Sequence, residues 1–381
     1  MSLYTRAVRR LTTVATGRGL IAGDSGPVGE VASLRAWVIE HEGHCGAAWS
    51  SVPAPQSAPL PPPRSVAGGT GPAFEDALTR LGALREMPPP ALEVAKLPGA
   101  RIVTPDGLVV THDDLLATES AWSGNREASG VLRKRGLPRA QTAPGVQATL
   151  ISQWCGAYYH WLTDALPRIA VLEAARSADC AVIVPEDLKP WQRRSLDLLG
   201  VGDRLTPFSG YLRADILLWP RPTAPLAGHT PSWACEWLRE RFASVSSSGR
   251  RRLYLSRSGE RRRRVANEDE VWTLVLEPLG FERIDAGTLS FDEQVSAFAG
   301  AGVIVAPHGG ALTNIVFARQ ATVVELFAPD YVNLCYYVLA GRCGHAYWSL
   351  MGRAGRNGSI TVDLARLTET LAAAGVATNG S

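Results

Sequence analysis

Lysine is nearly missing from this chain. It occurs only at Lys96, Lys134 and Lys189, so almost all of the 39 basic side chains are arginine. Arginine grips phosphate and carboxylate with two parallel bonds, but so complete a bias reflects a GC-rich genome better than it reflects a site. The cysteines at 45, 155, 180, 235, 335 and 343 form no Cys-x-x-Cys pair and no regular framework. That argues against a disulfide scaffold and for a reducing, intracellular setting. No apolar run is long enough to span a bilayer, and no secretory signal is visible. The net charge of +3 is too small to argue for a nucleic-acid partner. The dinucleotide fingerprint Gly-x-Gly-x-x-Gly is also absent, because "AGAGV" (299–303) precedes a strand instead of following one.

What remains is a chain of 381 residues, enough for two ordinary domains, with 46% hydrophobic and 20% charged residues as in soluble globular proteins. Arg6, Arg9, Arg10 and Arg18 make the start basic. It reads as a solvated first helix, with attachment to an anionic membrane surface as the alternative. A Pro-, Gly- and Ser-rich stretch (51–72) reads as an extended or mobile connector, so residues 1–75 are set apart as a variable segment.

Beyond it, "ARIVTPDGLVVTHDDLLATES" (100–120) predicts a hairpin around Pro-Asp-Gly, with His112, Asp113 and Asp114 in a turn. "TLISQW" (149–154), "CAVIVP" (180–185) and "RADILLWP" (213–220) predict strands, the first two joined by a helical stretch as a βαβ unit. The change of texture over 226–250 predicts a linker between an α/β domain at 76–225 and another at 251–381. In the latter, "RRLYLSR", "FERIDA", "GVIVAP" and "TVVELF" read as strands. Asn267 reads as one helix cap, and Ser290 with Glu293 as a capping box for the next helix. A final amphipathic helix is expected to pack back on the first domain. The fold class expected is α/β, two halves with parallel sheets whose C-terminal strand edges face a ligand cleft.

Two places carry candidate chemistry. In "VIVAPHGGALTN" (303–314) a buried strand meets Gly309 and Gly310, which let backbone approach a phosphate at a helix start, with His308 at the lip. Glu325, inside the apolar strand "TVVELF", needs a partner: sugar hydroxyls at the strand's end would supply one, with an internal arginine as the alternative. Eight arginines lie between Arg250 and Arg264 against one acid, Glu260. Most read as a solvated run, but Arg257 follows a strand and Arg264 precedes a helix cap, where either can hold a diphosphate. The other place is "HWLTDALPRI" (160–169). Helical spacing puts His160, Asp164 and Arg168 on one face and Leu162, Leu166, Ile169 and Leu172 mostly opposite. Pro167 removes the N–H that would bond Thr163, so the stretch is a kinked turn or a turn before a helix starting at Pro167.

Four blocks, "YYHWLTDALPR" (158–168), "YLSRSGERRRRVANEDEV" (254–271), "LSFDEQVSAFAGAGVIVAPHGGALTNIVFARQATVVELF" (289–327) and "SITVDLARL" (359–367), resemble glycosyltransferase family 61 in order and spacing. The resemblance covers roughly residues 100–375. It implies a GT-B-like pair of Rossmann-type domains and inverting sugar transfer from a nucleotide sugar, expected to be UDP-linked, to a glycan or lipid-linked saccharide in polysaccharide or capsule biosynthesis. It implies no metal, which fits the absence of an Asp-x-Asp pair. It places Arg257, Arg264, His308, Gly309, Gly310, Asn314 and Glu325 on the donor side and Arg168 on the acceptor side. Asp164 is the first choice for base, with His160 as base oriented by Asp164 close behind. Eukaryotic members are membrane-anchored, so this chain is similar to the bacterial ones, expected in the cytoplasm or peripheral on the inner face of the cell membrane. One departure is visible: the family's Gly-Ala-Gly after the histidine is Gly309-Gly310-Ala311 here, which keeps a small residue at each place. The competing readings are a Rossmann-type NAD(P)-dependent oxidoreductase or epimerase and a non-catalytic nucleotide- or glycan-binding protein.

Overall fold

The computed structural model describes residues 26–57, 59–66, 70–82, 87–121, 139–224, 226–245 and 250–376. The basic N-terminal stretch lies outside them, as do residues 246–249 of the expected flexible joint. The chain divides into two compact units: Met1–Ala54 with Pro90–Ala227, and Pro55–Pro89 with Gly228–Ser381.

The first unit holds a ten-stranded sheet. Its strands are β1 (Gly29–Val31), β2 (Ala48–Val52), β3 (Leu92–Pro98), β4 (Arg101–Val103), β5 (Leu108–Val110), β6 (Leu115–Ala117), β7 (Gln141–Thr149), β8 (Ala181–Pro185), β9 (Leu205–Phe208) and β10 (Tyr211–Pro220). The sheet is mixed, which corrects the expectation of a parallel one. β10, β7, β8 and β9 pair in parallel. β4, β5 and β6 form an antiparallel meander, because turns of a few residues can only reverse the chain. The hairpin around Pro-Asp-Gly is therefore present, and Gly107 at its turn has φ +69°. The strand expected at 149–154 instead ends at Thr149 and begins at Gln141. Pro144 and Gly145 obscured it, and the ladder tolerates them through a register shift opposite Ala214 and Ile216.

The second unit has a five-stranded sheet in the order β12-β11-β13-β14-β15, all parallel. Its strands are β11 (Arg251–Leu255), β12 (Glu282–Ile284), β13 (Ala301–Pro307), β14 (Thr322–Phe327) and β15 (Ala346–Met351), with the small pair β16 (Arg353–Ala354) and β17 (Ile360–Thr361) outside it. The order reverses between β11 and β13, which makes their C-terminal ends the switch point where such sheets take ligands. Ser290 and Glu293 form the expected capping box on Phe291–Ala299. Asn267 does not cap through its side chain. Its amide instead bonds both the N–H and the carbonyl of Val362.

Three expectations about boundaries change. The start of the proline-rich connector, Ser51 and Val52, ends β2 in the first unit, and from Pro55 on it belongs to the second, where Arg64 pairs with β15, Tyr337 donates to the Pro61 carbonyl at 2.7 Å and Phe74 packs on Phe327. Extended proline-rich chain still offers carbonyls and apolar rings to a neighbour, so it can dock without regular structure. The expected linker holds the helix Ser232–Arg241, with Trp233, Ala234, Cys235 and Leu238 buried. The last helix, Leu364–Ala373, packs within its own unit. Leu367 and Leu371 join the core with Tyr254, Val305 and Leu350, each contributing about 1.5–3 kcal/mol of burial. Among the described residues no helix is long and apolar enough to cross a membrane.

Candidate active site

In the first unit, β7 leads through a turn into a helical segment whose middle is widened. Trp161–Ala165 is a π turn, closed by the Leu166 N–H donating to the Trp161 carbonyl, and Pro167–Ala174 continues as α-helix. Pro167 has no N–H for the Thr163 carbonyl, and the wider turn absorbs the missing bond. Both readings of the kink were thus partly right. Leu162, Leu166, Ile169 and Leu172 are buried as expected.

His160 and Asp164 meet across this turn, with Nδ1 2.6 Å from Oδ2. A carboxylate can only accept, so Nδ1 carries the proton and Nε2 is left with its lone pair in the neutral ring. Nε2 has no hydrogen-bond partner among the described residues. The His160 side chain is 20% exposed and that of Asp164 is 3%. The Thr163 hydroxyl lies 3.3 Å from Oδ1 but has its better acceptor, the Tyr159 carbonyl, at 2.8 Å. Burial pushes the Asp164 carboxyl above its ordinary value, while His160, Arg168 and Thr163 pull it back. The imidazole of His160 is therefore open to solvent far more than the carboxylate of Asp164.

Arg168 departs from its expected place. It is 3% exposed, so it lies in the interior as a countercharge to Asp164 instead of facing a ligand. Burial pulls its guanidinium down in pKa, opposed by Asp164 and Cys155. The indole of Trp154, which sequence reasoning missed, sits 5.0 Å from the His160 ring.

In the second unit, Arg257 follows β11 and His308 follows β13, at the two ends that flank the switch point. Gly309 lets Arg257 lie close: a Cβ there would be 2.0 Å from Arg257 Nη1, and the guanidinium would have to move aside. The guanidinium therefore lies against backbone, and its Nε has no hydrogen-bond partner. Burial pulls the Arg257 pKa down, partly offset by Glu260. Gly310–Phe317 is a 3-10 helix, not an α-helix, so it leaves three and not four free N–H groups at its start.

His308 is buried among Phe327, Tyr331 and Tyr336. Its Nδ1–H donates to Glu325 Oε1, and the Tyr347 hydroxyl donates to Oε2. Glu325 is fully buried, so the expectation that it meets sugar hydroxyls is corrected: both oxygens are spent inside the protein, where an unpaired charge would be costly. Tyr347 could not be found from sequence, since its place diagonal to Glu325, two residues before the register partner Ser349, depends on the pairing of β14 with β15. Asn314 is corrected likewise. It is buried, and its amide nitrogen donates to Gln294 and to the Ala311 carbonyl, so it anchors the 3-10 helix to Phe291–Ala299.

Beyond β11 a cavity of about 1010 Å³ is lined by the run Arg261–Arg264 with Ser258, Glu260, Asp330, Tyr331 and Gly358. Arg264 is exposed there, and the Arg263 guanidinium lies 4.6 Å over the Tyr331 ring. Arg261 and Arg262 are exposed as well, as expected of a solvated run.

No curated protein matches the chain. Residues 158–324 match the family model described as Glycosyltransferase 61. The match begins two residues before His160, crosses the arginine run and the His308–Gly310 turn, and ends one residue before Glu325. Residues 158–324 are therefore similar to glycosyltransferase family 61, and a domain of that family supports a glycosyltransferase enzyme.

Proposed function

We propose that the enzyme is an inverting glycosyltransferase that uses a nucleotide sugar, taken to be a UDP-sugar, and builds a bacterial polysaccharide or capsule from a glycan or lipid-linked acceptor. The observation that carries this is the arginine-lined cavity at the C-terminal edge of the second sheet, with Arg257 held against Gly309 at the switch point. Arginines and backbone N–H groups are the donors a leaving diphosphate needs, and they hold it without reorganising. In this reading Arg257, Arg264 and the Gly309–Gly310 turn hold the diphosphate. His308, fixed by Glu325, donates from Nε2 when protonated. The chain's own cations balance the leaving group, so the reaction needs no metal.

The reaction then needs one base. His160 Nε2 takes the proton of the acceptor hydroxyl as its oxygen attacks the anomeric carbon, and the bond to the diphosphate breaks on the opposite face. Asp164 holds the tautomer and stabilises the imidazolium that forms. A GT-B-like fold belongs to the same proposal, as does a cytoplasmic site of action with peripheral attachment to the membrane.

The oxidoreductase alternative loses support at the turn after β11, where Ser256-Arg257-Ser258-Gly259 stands in place of a glycine-rich dinucleotide turn. The test is a thermal-shift screen against nucleotide sugars, followed by turnover of the donor that stabilises. Stabilisation by NAD(P) in place of any nucleotide sugar would overturn the proposal.

A further inference from the structure

A second cavity, of about 320 Å³, lies wholly within the first unit. Its walls are the turn between β4 and β5 and the loops that follow β7, β8 and β9. This is the C-terminal edge of the parallel part of that sheet, where open α/β sheets take ligands.

Two features of the lining stand out. Trp154 is 48% exposed and holds φ +62°, a conformation that side chains other than glycine rarely adopt. The turn that presents it is pinned from the helix Pro190–Leu198 and its cap: Lys189 Nζ donates to the Gly156 carbonyl at 2.6 Å and Gln192 Nε2 to the Cys155 carbonyl at 3.1 Å. An exposed indole on a strained, braced turn is a fixed flat surface and not a loose side chain. Phe208 adds a second ring to the lining.

The other feature is charge. Asp106, Glu186 and Asp187 line the cavity, and none has an ion pair or side-chain hydrogen bond among the described residues. Burial pushes the Asp106 carboxyl above its ordinary value. The turn carrying it is pressed onto the loop after β7, since a Cβ on Gly107 would lie 2.1 Å from the Ile151 carbonyl oxygen.

An aromatic face beside free carboxylates is what a pyranose ring requires. Its C–H face packs on the indole, and its hydroxyls donate to acceptors that carry no protons of their own. The same three carboxylates repel a sugar bearing an acidic group. Trp154 also connects the cavity to the base, because its indole is 5.0 Å from the His160 ring.

We infer that this cavity binds the acceptor saccharide, as a pyranose without acidic groups stacked on Trp154 and bonded by Asp106, Glu186 and Asp187, with one hydroxyl turned toward His160. The inference rests on the glycosyltransferase reading for the word acceptor, but the sugar site itself is tested without turnover.

Saturation-transfer NMR on the full chain would use the methyl glycosides of glucose, galactose, mannose, glucosamine and glucuronic acid. At least one neutral or amino glycoside receives saturation, methyl glucuronide does not, and Trp154→Ala weakens the bound glycoside at least tenfold. Asp187→Asn, at an exposed position, weakens it several-fold and narrows the discrimination against glucuronide. No saturation of any glycoside, equal binding of glucuronide, or unchanged binding in both variants would each overturn the inference. Turnover of nucleotide sugars is scored separately. Sugar binding without turnover leaves the site standing and removes the glycosyltransferase mechanism, and turnover without sugar binding does the reverse.

Discussion

His160–Asp164 in the first unit and His308–Glu325 in the second are both histidine–carboxylate pairs, and they are built differently. His160 and Asp164 lie four residues apart on one π turn, with the carboxylate buried and the imidazole partly open. His308 and Glu325 lie on neighbouring strand ends. Both are buried, and the second carboxylate oxygen is taken by Tyr347. The first pair leaves a ring nitrogen where a substrate proton can arrive, which suits a base. The second is locked on three sides by aromatic rings, which suits a group that holds its position. The same two functional groups are thus suited to different ends, and exposure of the imidazole is what separates them.

The largest effect expected from breaking this comparison is at His160. His160→Ala should lower sugar transfer by about 10²–10⁴-fold, the usual worth of a general base, with donor affinity unchanged by titration. Asp164→Asn should cost somewhat less. The double variant should be no slower than His160→Ala alone, because the two act as one unit. Rate losses that multiply in the double variant would show that they act independently.

At the second pair the sign of the comparison reverses. Glu325→Gln should weaken donor binding and lower stability by about 1–3 kcal/mol in denaturant unfolding, since it disturbs a buried network with two partners. Its effect on the rate at saturating donor should stay small. A loss of rate as large as that of His160→Ala would make His308 a catalytic group instead.

Gly309→Ala tests the contact beneath the donor. The new methyl must displace the Arg257 guanidinium, a movable group, so the fold should survive while donor affinity falls about tenfold, the worth of one charge-assisted bond. Tyr347→Phe should be mildest, costing about 1 kcal/mol of stability through one lost hydrogen bond to Glu325. Thermal unfolding beside Glu325→Gln would rank the two.

Much of the second unit was legible from sequence. Its β-branched runs, the Ser290–Glu293 capping box and the Gly309-Gly310 turn are local signals, and each appears where the pattern puts it. The first unit was harder. β7 carries Pro144 and Gly145, and only its neighbours in the sheet make it a strand. The connector at 51–72 gave no sign of where it docks, because its bonds to β15 and Tyr337 are long-range.

The site divides in the same way. Four-residue spacing brings His160 to Asp164 on any helical turn, so sequence alone determined that pair, and it determined the small residues that let Arg257 approach the chain at Gly309. It could not determine burial. Only the tertiary structure turned Asp164 and Arg168 inward, closed Glu325 between His308 and Tyr347, drew Asn314 to Gln294 and left Trp154 exposed beside His160. Spacing along a chain fixes which side chains share a face. What covers that face is decided by segments far away in sequence, and the covering sets whether a carboxylate meets substrate or only its own protein.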